Sequence, residues 1–191
     1  PQGCRIRHAE LRNVTRAVVT GRLLIRHVAL GDLRHLLERT DFARDLHFIT
    51  HSTNDTLDYT GLGLHEGSKL IWAAAGEKRR DLGLELTGQA ADLPPLPPDF
   101  GDARVAGPGL LVLRGPRHAL GRNEPDPAME TLADALAHWP GRQAFPLLVV
   151  ADDAAFCARD MDNFLWVAFT RSDPATDVYG ARAQTRAKHW S

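Results

Sequence analysis

The stretch Thr60 to Lys69, TGLGLHEGSK, sets three glycines and a lysine where a loop could hold phosphate. Glycines let backbone N–H groups crowd around an anion, and a lysine offsets its charge. Spacing decides against a P-loop, which needs G-x4-G-K-[ST]: five residues separate Gly61 from Gly67, and Ser68 precedes Lys69. A dinucleotide turn needs G-x-G-x-x-G opening a helix, whereas Gly61, Gly63 and Gly67 give G-x-G-x3-G, and no acidic residue ends a second strand at the expected distance. Some dehydrogenases use a wider spacing, so a nucleotide site stands open beside a plain glycine turn between two core segments.

Two further groups have chemical potential. His47 and His51 can share one side of an extended strand, with His65-Glu66 nearby, but no H-E-x-x-H or comparable spacing supplies a third metal ligand. Asp152-Asp153, Asp160 and Asp162 follow an apolar strand, where α/β proteins place catalytic carboxylates; the same residues also suit helix caps. No G-x-S-x-G elbow occurs, and nothing in the sequence activates Cys157.

These residues must be positioned by a chain of 191 residues, 43% hydrophobic, enough for one α/β domain over 1–191. A formal net charge of −1 gives no drive toward nucleic acid or anionic lipid, and Lys78-Arg79-Arg80 is expected to be a solvated face. Two cysteines make no disulfide framework, and no apolar run is long enough to span a bilayer, so a cytoplasmic protein is expected. The chain opens on Pro1 and stops at Trp190-Ser191, which suggests a fragment of a longer enzyme.

Val14 to Val28 suggests two strands, or one bent strand, around a turn at Gly21, and Leu33, Leu36 and Leu37 predict a helix capped by Asp32. Leu46 to Thr50 reads as a strand, and Lys69 to Ala75 as a strand or short helix. Residues 90–100, AADLPPLPPDF, form a proline-rich connector between two halves, unable to be helix or central strand. Beyond it, Gly109 to Arg114 and Phe145 to Val150 are apolar strands. Pro127 to His138 is a helix burying Met129, Leu132, Ala133 and Leu136, and Met161 to Phe169 is another. Strands alternating with helices predict an α/β fold with a mixed, largely parallel sheet and helices on its faces.

Phe164 to Asp177, FLWVAFTRSDPATD, resembles the C-terminal domain of the UbiD-type decarboxylases, which use prenylated FMN. Leu165, Trp166, Thr170, Arg171, Asp173, Pro174 and Asp177 match that family's Leu-Trp helix and Thr-Arg-x-Asp-Pro loop. Leu57, Asp58, Tyr59, Gly67, Ser68 and Lys69 match a second motif, Leu-Asp-Tyr followed by Gly-Ser-Lys, although here it precedes the loop instead of following it. The resemblance implies a carboxy-lyase acting on an aromatic or unsaturated acid, with its Glu-Arg-Glu network, prenylated FMN and divalent metal in an upstream flavin-binding domain. It implies no catalytic residue and no metal ligand in this piece, whose part is homo-oligomer assembly and cleft formation. Asp58, Tyr59, Ser68, Lys69, Thr170, Arg171, Asp173 and Asp177 are then the candidate cleft or interface residues. The competing expectations are a stand-alone nucleotide- or metal-binding α/β protein and a non-catalytic interaction module.

Overall fold

A computed structural model of the chain describes residues 7–11, 30–55, 63–74, 76–88, 93–117, 126–181, 183, 185–186 and 189–190. In chain order the elements are β1 (Arg7–Leu11), α1 (Leu30–Arg39), β2 (Leu46–Thr53), β3 (Glu66–Trp72), β4 (Gly101–Gly107) and β5 (Leu110–Arg114). They continue as α2 (Pro127–Leu136), β6 (Leu147–Ala151), α3 (Ala154–Cys157), α4 (Met161–Thr170), β7 (Val178–Ala181), β8 (Thr185–Arg186) and β9 (His189–Trp190). The strands predicted within 14–28 lie outside the described residues.

The main sheet runs β4-β5-β6-β1-β7, and β2 with β3 forms a separate hairpin. The class is α/β with a mixed sheet, as expected. Its parallel pairings are β5 with β6 and β1 with β7, while β4–β5 and β1–β6 are antiparallel. Inserting β1 between β6 and β7 lowers the parallel share below the expectation, because nothing local in RHAEL dictates its neighbours.

Position in the sheet explains composition. All five residues of β6, LLVVA, are buried, as are Leu110 to Leu113 of β5, so both faces of this parallel pair are covered. Between β4 and β5, Pro108-Gly109 makes the turn, and Gly109 takes φ +74°, a value that glycine adopts without steric cost. Helix α2 packs against β1 and β7, and α3 against β4, β5 and β6. Helix α2 buries the four residues that its periodicity predicts, Met129, Leu132, Ala133 and Leu136, and Asp126 caps it by accepting from Ala128 N at 2.8 Å.

The first half joins the same core. Leu33, Leu37, Phe42 and Trp72 form one cluster with the residues of β5, β6, α2 and α4. Helix α1 begins at Leu30, so Asp32 lies within its first turn rather than at its cap. The C-terminal end of α1 is closed by the run expected to be a solvated face. Lys78 and Arg79 are exposed, but the Arg80 guanidinium donates to Leu37 O and, at 2.7 Å, to Thr40 O, and lies 4.7 Å from the Phe42 ring centroid. Burial, with the charge of Arg79 second, pushes the Arg80 pKa down to about 10, leaving it charged at neutral pH. Leu93 to Phe100 contains neither helix nor strand, and Phe100 anchors it in the core.

Candidate functional site

Strand β3 turns the glycine-rich stretch into geometry. Gly67 and Ser68 lie inside the strand and no helix follows, so the segment cannot aim a helix N-terminus at phosphate. Alternation along β3 sends Ser68, Leu70 and Trp72 inward, while Gly67, Lys69 and Ile71 are half-buried. The loop between β2 and β3 is drawn closed at its base, where Asn54 N donates to His65 O at 3.1 Å.

The second motif forms a turn directly after α4. Asp173 N donates to Asp177 Oδ2 at 2.7 Å, and Asp177 N donates back to Asp173 O at 2.8 Å. Ala175 N donates to Asp173 Oδ1 at 3.1 Å, holding the loop over Pro174. Asp173 is only 4% exposed, a carboxylate well removed from water.

The two motifs meet at Ser68. Its Oγ donates to Asp173 Oδ1 and accepts from Ala175 N at 2.8 Å, across 105 and 107 positions of chain. This contact places the hairpin beside the Thr170 to Asp177 loop, although the two lie about a hundred residues apart in the chain. Chemically the arrangement is a clamp. The hydroxyl is committed as donor and as acceptor and has no histidine beside it in these contacts, so it lacks the base that would make it a nucleophile.

The other candidates take separate positions. Lys69 Nζ donates to Thr53 O at 3.3 Å, bracing the hairpin. Thr170 Oγ1 donates to Trp166 O, closing the last turn of α4. Arg171 does not anchor its loop through Asp173; its guanidinium lies over the Trp166 ring, 4.4 Å from the centroid. Asp58 and Tyr59 lie outside the described residues. Asp153 and Asp160 are caps, accepting at 2.8 Å from Phe156 N and Asn163 N. His47 and His51 are both exposed, and among the described residues no three His, Cys, Asp or Glu side chains gather to hold a metal.

Sequence reasoning missed the exposed face of α4. Trp166 keeps 47% of its surface exposed, with Phe156 edge-on at 6.2 Å and Arg159 over Phe156 at 5.1 Å. The available signal was Asp162 and Trp166 at i, i+4 in a helix that is apolar from Phe164 to Phe169.

Fold and site define a mixed-sheet α/β domain whose hairpin is clamped to the loop after α4. Residues 32–74 match the family described as 3-octaprenyl-4-hydroxybenzoate carboxy-lyase C-terminal domain. The chain is 32% identical over 152 residues to a Chlamydia pneumoniae protein named as a subunit of 4-hydroxybenzoate decarboxylase, covering 77% of this chain and 22% of that protein. An uncharacterized protein of Chlamydia trachomatis is 33% identical over 147 residues, again 77% of this chain and 22% of its own length. Over residues 32–74 the chain is similar to the C-terminal domain of the UbiD family. It spans about a fifth of the length of these curated relatives. No solved structure matches it. The matched segment holds Ser68 and ends before the Thr170 to Asp177 loop, which reaches it through the Ser68–Asp173 bond.

Proposed function

We propose that this chain is a single assembly and cleft-forming domain of a longer cytoplasmic UbiD-type carboxy-lyase acting on an aromatic or unsaturated carboxylic acid. The observation that carries the reading is the Ser68 clamp, which joins both family-like motifs into one edge. A cleft closed between two domains excludes water while a cofactor does the electronic work. A clamped edge suits that task because its loop geometry is set before the partner domain arrives.

The residues described do not fit prenylated FMN or the metal that would hold its phosphate. Gly67 lies in a strand, and the acidic side chains at 153 and 160 are occupied as helix caps. In this reading the cofactor and its metal belong to the upstream flavin-binding domain, and this chain contributes no catalytic residue. The partners are that domain and other copies of this one. Among the described residues no helix is long and apolar enough to cross a membrane.

The test compares the 191-residue chain alone, the flavin domain alone and the two together, assaying flavin binding and carbon dioxide release from 4-hydroxybenzoate and cinnamate. Activity only in the combined sample is the expected result. Tight binding of prenylated FMN by this chain alone, or full activity of the flavin domain without it, overturns the reading.

A further inference from the structure

Charges gather where α1 ends and the segment 76–81 crosses it. Glu38 Oε1 accepts from Arg34 Nε at 3.0 Å and lies 3.8 Å from Lys78 Nζ, while Glu38 Oε2 accepts from Arg39 Nη1 at 3.1 Å. Asp41 Oδ2 accepts from Arg79 Nη2 at 3.1 Å, and Asp45 accepts from Arg44 Nε at 2.7 Å and Nη2 at 3.3 Å. With Arg80 beneath and Asp81 at 2.7 Å from Lys78 Nζ, six cations meet four carboxylates.

These charges are layered. The side chains of Glu38 and Asp45 keep 11% and 7% of their surface exposed, whereas those of Arg34, Arg44, Lys78 and Arg79 keep between 44% and 65%. Carboxylates form the floor, and what a partner meets is guanidinium and ammonium. The Arg34 and Arg79 guanidiniums each donate one N–H to the floor and Arg44 two, so most of their donors are uncommitted among the described residues. We propose that this basic end of α1 docks an acidic segment of a partner polypeptide, whose carboxylates take the outward N–H edges of Arg34, Arg44 and Arg79 and the Lys78 ammonium.

Folding does not account for so many cations here. Arg80 already closes the end of α1 by donating to Leu37 O and Thr40 O, and Arg79 N and Arg80 N hold the segment to Glu38 O at 2.8 and 3.2 Å. Exposed ion pairs add little to that. For binding, the arrangement is apt: an arginine fork suits a planar carboxylate, and a guanidinium already oriented by a buried acid loses little freedom on pairing. A nucleic-acid backbone spaces its charges evenly and calls for a long basic stripe. This patch is compact, and exposed Glu77 and Asp81 flank Lys78-Arg79-Arg80 in the chain, where they would repel further phosphates. The formal net charge of −1 makes the attraction a property of the patch, not of the whole molecule. The proposal goes beyond the carboxy-lyase reading and does not rest on it.

Fluorescence anisotropy tests it, with the 191-residue chain titrated into a labelled peptide of alternating glutamate and serine, and into a labelled single-stranded DNA of equal charge. The peptide is expected to bind at low salt and to weaken as salt rises. Arg44→Glu or Arg79→Glu should raise its Kd about tenfold, whereas Arg104→Glu, the same charge change on exposed β4, should leave it within about twofold. If either reversal alters the circular dichroism melt, Arg34→Gln reads the same patch from a largely exposed side chain and should weaken binding about threefold. A peptide that does not bind at low salt, an Arg104→Glu effect equal to that of Arg44→Glu, or DNA binding tighter than the peptide overturns the proposal. None of these readouts involves flavin or decarboxylation, so this proposal and the carboxy-lyase reading fail separately.

Discussion

Replacing Ser68 by alanine removes a side chain that bonds the hairpin to the Thr170 to Asp177 loop at both a carboxylate and a backbone amide. The bond to Asp173 is charge-assisted, and such bonds contribute about 1.5–3 kcal/mol. Ala175 N loses its 2.8 Å acceptor but keeps Asp173 Oδ1 at 3.1 Å, so the amide is not orphaned. Asp173, 4% exposed, cannot turn to water for a replacement donor. The expected loss is about 2 kcal/mol, or about 4–8 °C in Tm for a chain of this size. Asp173→Ala should cost more, about 3 kcal/mol, because it also removes the acceptor within the turn. Urea melts of both single variants and the double variant give the coupling, expected at about 1–2 kcal/mol. Hydrogen exchange should show the Ala175 amide opening faster in Ser68→Ala. Single-variant losses that add to within about 0.5 kcal/mol would refute the clamp as an energetic link between the segments.

Three further outcomes follow from local chemistry. Arg80→Lys should destabilise by about 2 kcal/mol, nearly as much as Arg80→Ala, since one ammonium cannot reach two carbonyls while stacking on Phe42; equal melts of Arg80→Lys and wild type would contradict this. Glu38 is held below its usual 4.5, first by the Arg34 hydrogen bond and against the opposing effect of burial, with Arg39 and Lys78 adding to the lowering. A depressed folded pKa means that the stabilisation is complete above the unfolded value and is lost as pH falls through the folded one. The Tm deficit of Glu38→Gln should therefore be largest at neutral pH and close below about pH 4. Asp160→Ala should cost about 1 kcal/mol by uncapping α4, measurable as a shift in urea midpoint at constant slope.

Much of the second half was legible because its signals are short-range. The spacing of Met129, Leu132, Ala133 and Leu136, with Pro127 in the first turn, contains its own helix and buried face. The runs LLVL and LLVV contain no polar residue to turn outward, so they can only be doubly covered strands. Asp153 and Asp160 cap helices a few residues away, which spacing alone can anticipate. Ser68 and Asp173 were recognisable as members of two motifs, and Arg171 and Lys69 as charges beside them.

Tertiary structure decided what those residues do to one another. The sequence by itself determined β5, β6, α2 and α4 and their apolar faces, since propensity and periodicity act within a few residues, but it left residues 69–75 open between strand and helix and gave no signal for β1, β4 or β7. The place of β1 between β6 and β7, the burial of Arg80 beneath α1, and the stacking of Arg171 on Trp166 instead of pairing with Asp173 all depend on competing partners. The Ser68–Asp173 bond joins positions 105 residues apart. No local preference specifies such a contact. It forms because packing the common core brings β3 and the end of α4 together, and a buried carboxylate then requires a donor.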